Sequence, residues 1–346
     1  MAITTDEVPA PDLSLIAGDG YVVAVDLGGT KIMTALFGPT GEIVGRKKKS
    51  TGKNHEPAVL IARIAECVRQ VVSEASLDIS ALRAVGIGAP GTVDFSNGVV
   101  HHAPNLGWHD VPLKAELERQ LGVPVAVDND VRVAVRAEHA VGIGRGVDNM
   151  VGIWPGTGVG GGIVVDGQVM SGATNSAGEL GHITVKAGGP LCGCGGRGHL
   201  EALASRTAIV KYIAKKVSTG ESTTLQGDGG DLGKVRSEAL AKAYTQGDKL
   251  VSKAINRAAR YLSIGIASIA NTVNPELVVI GGGLVEALGQ PFVDRIADGV
   301  RGQPMIAATE NVRIVASSLG DDAGAVGAAL IARRLANATK TDKPTE

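Results

Sequence analysis

Clusters of glycine constrain this chain more than any other feature of its sequence. Glycine accounts for 49 of the 346 residues, whereas the usual share is about 7 %. Most of the clusters directly follow an apolar, β-branched run, and glycine lets the backbone bend tightly or approach a ligand closely. The pattern therefore predicts strands that lead into tight, ligand-facing turns. The five clusters lie at residues 28–29, 86–91, 156–162, 188–198 and 281–283.

Charge and composition exclude several classes of protein. The 34 basic and 35 acidic residues leave a net charge of −1, so the chain has no bulk attraction to nucleic acid or to an anionic membrane. The apolar share of 44 % is ordinary for a globular protein, and the length of 346 residues suits about two domains. Apolar stretches stay well short of the ~18 residues that span a bilayer, and we expect a cytoplasmic protein. Three cysteines are too few for a disulfide framework and fit a reducing compartment.

One arrangement of strands and turns occurs twice along the chain. Two strands are predicted on either side of a glycine turn at residues 21–25 and 31–37. The same arrangement is predicted again at residues 150–153 and 162–165. Helices predicted at 58–75, 113–121 and 248–272 alternate with strands predicted at 84–87, 124–127, 277–280 and 312–315. The alternation predicts α/β layers, and the repetition predicts two lobes that hold one nucleotide between them.

Both of these glycine turns carry groups suited to phosphate. Their amides can approach phosphate oxygens, their threonine adds a donor, and Asp26 could hold Mg²⁺ through water. A dinucleotide-binding turn is disfavoured, because Pro90 interrupts one G-x-G-x-x-G match and a strand follows the other. The sequence contains no P-loop motif. The first turn comprises Asp26, Gly28, Gly29, Thr30 and Lys31, and the second includes Gly156, Thr157, Gly158 and Gly160.

Polar groups follow a predicted strand and a predicted hairpin. Asn129 and Asp130 come directly after the strand at 124–127, where a carboxylate could act as a general base and an amide could bind a polar substrate. Turn closure alone is the competing explanation for such residues. Glu179 and His182 lie three residues apart just past the second glycine hairpin. On their own, such a pair would usually be surface residues.

A glycine-rich loop with two cysteines predicts a metal centre. Cys192 and Cys194, together with His182 and His199, supply four ligands that suit zinc, and the intervening glycines permit a tight loop. A closed set of four ligands indicates a structural role. Such a centre would hold Glu179 and Glu201 beside it.

These motifs together resemble the ROK family of sugar kinases and repressors, within the actin-like ATPase superfamily. The resemblance runs from residue 21 to about residue 335 and implies a duplicated α/β, ribonuclease H-like fold with two lobes around a central cleft. The ordered motifs that carry it are AVDLGGTK, GIGAPGTVD, APNLGW, VDND, GTGVGGG, ELGH, CGCGGRGHLE, NPELVVIGGG and LGDDAGAVGAA.

The same resemblance assigns roles to individual residues. It implies that Asp130 is the catalytic base and that one ring nitrogen of His182 ligates zinc while the other donates to the sugar. The two glycine turns would bind the phosphates of ATP. The glycines of the adenosine-binding turn would be Gly281, Gly282 and Gly283. The sugar would be bound by Gly91, Thr92, Asn105, Asn129, Asp130, Glu179, His182 and Glu201.

The implied reaction is phosphoryl transfer from MgATP to the 6-hydroxyl of an aldohexose. APNLGW and GAPGTVD resemble the family's glucose kinases, so glucose is the expected substrate. N-acetylmannosamine, N-acetylglucosamine and fructose are alternatives, and polyphosphate is an alternative donor. A DNA-binding repressor is disfavoured because only about 20 residues precede Tyr21. An actin-like ATPase of another function would leave Glu179, His182 and the cysteine loop unexplained. A homodimer or higher homo-oligomer is expected.

Three departures from the family pattern accompany this resemblance. His199 stands where the family usually has a third cysteine ligand. Trp154 and Pro155 precede the second turn, and Val131 and Arg132 follow Asp130, all at positions where other residues are common. The expected domains are a flexible lead-in at 1–20, a small lobe at 21–135 completed by a helix near 323–336, a large lobe at 136–322, and a flexible tail at 337–346.

Overall fold

The computed structural model describes residues 11–225, 231–303 and 306–341, which form two compact units. Unit 1 consists of the chain up to residue 145, residues 171–177 and the chain from residue 321 onward. Unit 2 consists of residues 146–170 and 178–320. The expected boundary between residues 135 and 136 falls inside a helix of unit 1. Residues 171–177, expected in the large lobe, belong to unit 1 because Asn175 bonds to Asp94 and Arg132 there.

The elements alternate along the chain as the sequence predicts. The strands are β1 (Tyr21–Leu27), β2 (Lys31–Phe37), β3 (Ile43–Ser50), β4 (Leu82–Ala89), β5 (Thr92–Asp94), β6 (Val99–Ala103), β7 (Trp108–Val111), β8 (Val125–Asn129), β9 (Met150–Pro155), β10 (Val159–Val165), β11 (Gln168–Val169), β12 (Leu277–Ile280) and β13 (Arg313–Ala316). The helices are α1 (Pro57–Glu74), α2 (Leu113–Leu121), α3 (Asp130–Ala140), α4 (Glu201–Ala204), α5 (Arg206–Val217), α6 (Ser237–Thr245), α7 (Lys249–Val273), α8 (Gly283–Leu288), α9 (Gln290–Arg301), α10 (Ile306–Glu310) and α11 (Ala323–Thr341).

The main sheets of the two units have the same topology. The strand order is β3-β2-β1-β4-β8 in unit 1 and β11-β10-β9-β12-β13 in unit 2. In each sheet the first three strands in the order are antiparallel neighbours. The fourth strand pairs in parallel with the third, and the fifth pairs in parallel with the fourth. The predicted duplication is therefore confirmed.

Unit 1 buries helices against both faces of its sheet. The apolar face of α1, including Leu60, Ile64 and Val68, packs with Val23 and Val25 of β1 in one core. Helices α3 and α11 pack on the opposite face, which is the face of Asp26 because side chains alternate along a strand. In unit 2, the buried residues of α7 and α9 form a core with Val151, Ile153 and Ile280.

A second sheet in unit 1, with the order β5-β6-β7, is a feature that sequence reasoning missed. Its strands have three to five residues, and β6 and β7 carry exposed polar side chains such as His101, His102 and His109. Such segments lack the β-branched run by which the longer strands were recognised.

Glycines within unit 1 serve helix packing as well as turns. A Cβ on Gly86 would overlap the carbonyl oxygen of Ala328 in α11, and a Cβ on Gly88 would lie 2.8 Å from Cγ2 of Val133 in α3. A Cβ on Gly327 would overlap the carbonyl oxygen of Val133. Gly86 lies in the strand predicted at 84–87, and β4 extends that strand through Gly88. Within the cluster at 86–91, these two glycines therefore allow two helices to approach the sheet and do not form a ligand-facing turn.

The described part of the predicted lead-in is packed within unit 1 and is bonded to α11. Residues 13–16 form a short 3₁₀-helix in which Ile16 is fully buried. The guanidinium of Arg333 donates hydrogen bonds to the carbonyl oxygens of Ile16, Asp19 and Gly20. Residues 1–10 of the lead-in and 342–346 of the tail lie outside the described residues, and α11 extends through the first part of that tail to Thr341. No helix among the described residues is long and apolar enough to cross a membrane.

Gly86→Ala should lower the free energy of unfolding by about 2–3 kcal/mol, because the added methyl group meets the backbone of α11, which cannot move without loss of packing. Urea unfolding monitored by circular dichroism measures this change. Gly45→Ala is the matched control, since a Cβ on this β3 glycine would lie 3.5 Å from Val71, an ordinary contact. Equal stability of the two variants would contradict the packing role of Gly86.

Candidate active site

The first glycine turn of unit 1 is a tight connection between β1 and β2. The amide of Gly28 donates to the carbonyl oxygen of Lys31 at 2.8 Å. Thr51, at the end of β3, steadies the turn by donating its hydroxyl to the Gly28 carbonyl at 2.8 Å and its amide to the Thr30 carbonyl at 3.0 Å. Gly29 is open except for Asn105, whose Cβ would lie 3.8 Å from a Cβ at position 29. The turn thus lies beside one of the predicted sugar-binding residues.

Asp26 lies among charged groups next to this turn. Burial raises the pKa of its carboxyl group, and the Asp321 carboxylate raises the pKa further while Lys31 lowers it. The Lys31 ammonium is 3.9 Å from the Asp321 carboxylate. Two nearby carboxylates are hard oxygen ligands of the kind that Mg²⁺ prefers, and a bound cation would favour their ionised forms. The residues present therefore fit a magnesium site.

The junction of β8 and α3 carries Asn129 and Asp130. The Asn129 side-chain oxygen accepts hydrogen bonds from the amides of Val131 and Arg132, both at 3.0 Å, and so caps α3. Its amide nitrogen donates to the Gly91 carbonyl at 2.9 Å. Asp130 is the first residue of α3 and is partly buried. The structure thus gives Asn129 a capping role that sequence reasoning did not assign, and it places Gly91 beside Asn129.

Gly91 is required at its position by geometry. Its φ is +92°, and a Cβ there would overlap the carbonyl oxygen of His102 in β6. The next residue, Thr92, begins β5 and pairs with His102. The structure therefore brings together Gly91, Thr92, Asn129 and Asp130, and it places Asn105 beside the first glycine turn.

A buried ion pair below this junction was not predicted. The Arg132 and Asp128 side chains are 4 % and 1 % exposed and are hydrogen-bonded to each other. Arg132 also donates to the carbonyl oxygens of Asn175 at 2.6 Å and Val93 at 3.2 Å. A buried charge is tolerated when it is paired and its donors are satisfied. Arg132 therefore ties α3 to β5 and to residues 171–177. The only sequence signal for this role was that Arg132 departs from the family pattern.

The second glycine turn, in unit 2, connects β9 to β10. The Gly156 amide donates to the Gly158 carbonyl at 2.9 Å. The Glu201 carboxylate accepts from the Val159 amide at 3.1 Å, and a Cβ on Gly158 would overlap that carboxylate. Gly158 does not have a positive φ, so the carboxylate, rather than the backbone conformation, is what demands glycine here. Gly160 lies in β10 opposite Trp154.

The turn that carries Glu179 and His182 rests directly on β10. Residues 180–182 form a short 3₁₀-helix, and a Cβ on Gly181 would overlap the Val159 carbonyl oxygen. A Cβ on Gly161 would lie 2.6 Å from the Leu180 side chain. The Glu179 carboxylate is 4.0 Å from Nε2 of His182. Part of the glycine cluster at 156–162 therefore serves to seat these two polar residues.

The third glycine turn lies beside the second because β9 and β12 are parallel neighbours. Gly281 donates its amide to the Ile153 carbonyl at 3.0 Å, and a Cβ at position 281 would lie 2.5 Å from the Trp154 ring. Gly282 has φ +82° and caps α8, and Gly283 is the first residue of that helix. The predicted phosphate and adenosine turns of unit 2 thus meet at one edge of its sheet.

Four predicted metal ligands converge in unit 2. The ligand atoms of His182, Cys192, Cys194 and His199 lie within 4.8 Å of one another. The Cys192 sulfur is 3.7 Å from His182 Nδ1, and the Cys194 sulfur is 3.2 Å from His199 Nδ1. Tetrahedral zinc with ordinary bond lengths places such atoms roughly 3.3–3.8 Å apart. The donor set and its spacing therefore fit a four-coordinate centre.

Cys192 is a buried thiol beside an acidic side chain. Burial raises the pKa of its thiol to about 11, and the neighbouring Cys194 and Glu201 side chains act in the same direction. A thiol of this kind stays protonated near neutral pH unless a cation stabilises the thiolate, as a metal ion does. A Glu201 oxygen is 3.5 Å from the Cys192 sulfur, so Glu201 contacts both the cysteine loop and the second glycine turn.

Comparisons with known proteins agree with this arrangement. The model of the ROK family matches residues 22–335, and the chain belongs to that family. The chain is 35 % identical to a glucokinase of Halalkalibacterium halodurans, over 95 % of this chain and 99 % of the relative. It is 36 % identical to a glucokinase of Thermotoga maritima, over 90 % of this chain and 96 % of the relative.

A solved structure extends the comparison to the fold. A ROK family glucokinase from Streptomyces griseus, in complex with glucose and AMPPNP, matches with a TM-score of 0.77 and 32 % identity. The match covers 91 % of this chain and all of that chain. The predicted duplicated, actin-like ATPase fold is therefore confirmed.

Gly158→Val should lower the free energy of unfolding by about 1–2 kcal/mol, because the new side chain displaces the Glu201 carboxylate and leaves the Val159 amide without its acceptor. Urea denaturation measures the loss. Gly193→Ala is the control, since a Cβ on that glycine meets nothing within 4 Å. A Gly158→Val protein as stable as the control would show that Glu201 has no structural role at this turn.

Proposed function

We propose that this protein is an ATP-dependent sugar kinase that transfers the γ-phosphoryl group of ATP to the 6-hydroxyl of glucose. The observation that carries the proposal is the repetition of one glycine turn at equivalent places in two sheets of the same strand order, together with the Asp130 carboxylate at the start of α3. The repeated turns supply amides for phosphate, and the carboxylate supplies a base. The glucokinase relatives support the same activity.

Asp130 acts in this proposal as the general base. It would accept the proton of the sugar 6-hydroxyl as the oxygen attacks the γ-phosphorus in line. Asn129 caps α3, and the buried Arg132 anchors the same helix, so the Asp130 backbone is held before substrate arrives. Positioning of this kind lowers the barrier because the reacting groups need not be ordered during the reaction.

The remaining sugar contacts are assigned by hydrogen-bonding capacity. Carboxylates accept hydrogen bonds from sugar hydroxyls, and the asparagine and threonine side chains can both donate and accept. His182 would donate from Nε2, because its Nδ1 faces the metal ligands. The proposed sugar-binding residues are Gly91, Thr92, Asn105, Asn129, Asp130, Glu179, His182 and Glu201.

The nucleotide is assigned to the three glycine turns. Asp26, beside Lys31, would hold magnesium, which offsets the charge of the phosphates when it is bound. The turn amides would contribute hydrogen bonds to the phosphate oxygens. The proposed nucleotide-binding residues are Asp26, Gly28, Gly29, Thr30, Lys31, Gly156, Thr157, Gly158, Gly160, Gly281, Gly282 and Gly283.

A coupled assay of ADP release tests the activity. The panel compares glucose with mannose, fructose, glucosamine, N-acetylglucosamine and N-acetylmannosamine, and it compares ATP with polyphosphate as the donor. We expect the highest kcat/KM with glucose and ATP. Turnover of ATP at the same rate with and without every sugar would contradict the proposed kinase activity. Light scattering tests the proposed homodimer or higher homo-oligomer.

Asp130→Asn should lower kcat by at least ~100-fold and leave sugar binding within roughly tenfold, because asparagine keeps the shape of aspartate but cannot accept the proton. Asp298→Asn, on the exposed surface of α9, is the matched control and should have the activity of the unchanged protein. Steady-state kinetics and glucose titration measure the two effects. A near-normal kcat in purified, folded Asp130→Asn would exclude Asp130 as the base.

The four converging ligands are proposed to bind one structural zinc ion per chain. His199→Cys should retain the metal because it keeps four ligands that suit zinc. His199→Ala opens the site and should bind less than half as much zinc per chain as the unchanged protein. Elemental mass spectrometry of protein purified without chelators gives the ratio. His101→Ala, outside the cluster, is the control. Unchanged zinc content in His199→Ala would show that the ligand set is wrong.

A further inference from the structure

Helix α5 begins against the second glycine turn, and its first residue is Arg206. The Arg206 amide donates to the Gly156 carbonyl at 2.8 Å, and the Thr207 hydroxyl donates to the Thr157 carbonyl at 2.7 Å. Ser205 caps the helix by accepting from the Ala208 amide. The start of α5 and the turn at residues 156–158 are therefore held together by backbone and hydroxyl bonds, independently of the Arg206 side chain.

The Arg206 side chain reaches over the same turn. One guanidinium nitrogen donates to the Thr157 hydroxyl at 2.8 Å, and the other terminal nitrogen donates to the Val235 carbonyl at 3.3 Å. Both acceptors are neutral, and the ion pairs among the described residues do not include Arg206. A guanidinium has five N–H donors, so three remain after these two bonds. Arg206 is thus a partly buried cation with spare donors at the proposed phosphate turn.

The second bond of Arg206 points toward the third glycine turn. Val235 lies two residues before Ser237, the first residue of α6. The Ser237 hydroxyl would be 3.6 Å from a Cβ on Gly283. Arg206 therefore joins the second turn to the segment that lines the third turn, and this is the region of unit 2 proposed to hold ATP.

Charge balance at this turn favours a cation. The Glu201 carboxylate already accepts from the Val159 amide, so an anionic ligand that approaches the turn meets one negative side chain there. Arg206 contacts the turn through Thr157 and offsets that charge. The Thr157 hydroxyl accepts from Arg206, so its own proton is available to a ligand oxygen.

We propose that Arg206 binds the phosphate chain of the donor nucleotide and orients the Thr157 hydroxyl toward it. The inference rests on the nucleotide site of the proposed function and adds a residue that none of the sequence motifs assigned. A guanidinium suits this role because its fork of N–H groups matches two phosphate oxygens.

Binding of ADP and of adenosine to the full chain tests the proposal by isothermal titration calorimetry in the presence of Mg²⁺. Arg206→Gln should weaken ADP binding about tenfold to a hundredfold and leave adenosine binding within about twofold, because only ADP carries phosphate. Arg206→Lys keeps the charge but loses the fork of N–H groups. Its ADP affinity should fall between that of the unchanged protein and that of Arg206→Gln. Arg260→Gln, at an exposed position of α7, is the matched control for loss of one charge.

The salt dependence gives a second readout. Loss of one phosphate contact should make ADP affinity less sensitive to ionic strength in Arg206→Gln than in the unchanged protein. An ADP dissociation constant within twofold of the unchanged protein would overturn the proposal, and so would equal weakening of ADP and adenosine. If Arg206→Gln does not fold, the same comparison of ADP and adenosine binding in Arg206→Lys tests the proposal.

The binding test is independent of the kinase assay. ADP binding that depends on Arg206, in a chain that releases no ADP with any sugar, would contradict the proposed reaction and leave this inference standing. Sugar-dependent release of ADP, with ADP affinity unchanged in Arg206→Gln, would support the proposed reaction and overturn this inference.

Discussion

The close approach of α11 to β4 and α3 is the contact on which the rest of unit 1 depends. Gly86 and Gly327 remove the side chains that would separate these backbones, so the Ala328 and Val133 carbonyl groups lie where a Cβ would otherwise be. Helix α3 begins at Asp130, so the packing that seats α3 also determines where the proposed base lies. Dense packing of this kind transmits small changes, since interiors tolerate little change in volume.

Glu201 links several parts of unit 2 by a different physical interaction. Its carboxylate accepts from the Val159 amide at the second glycine turn and lies 3.5 Å from the Cys192 sulfur of the cysteine loop. Arg206 contacts the same turn through Thr157. The Glu201 carboxylate and the Arg206 guanidinium therefore both reach one short turn. The proposed zinc ion would stabilise the cysteine loop that precedes Glu201. The sugar and phosphate contacts proposed for this unit would therefore depend on connected side chains.

Much of the fold followed from local pattern, and the exceptions have physical reasons. Strand and helix periodicity located the two hairpins, α1 and α7 to within a few residues, because their apolar faces are long and regular. The ligand set of His182, Cys192, Cys194 and His199 was predicted from ligand chemistry, and the structure brings the four together. Arg132 and Arg206 were not assigned roles. Besides the side chains of Asp128 and Thr157, they bond to the backbone carbonyls of Asn175, Val93 and Val235, which no side-chain motif reveals.

The sequence by itself determined the duplicated α/β plan, the positions of the glycine turns and the chemistry of the candidate ligands, because these depend on neighbouring residues and on composition. Tertiary structure decided which glycines serve turns and which serve packing. It placed Gly86 under α11 and Gly158 against Glu201, and it assigned residues 171–177 to unit 1. These outcomes depend on contacts between residues far apart in the chain, where the space around a Cα and the partner of a charge are set by packing.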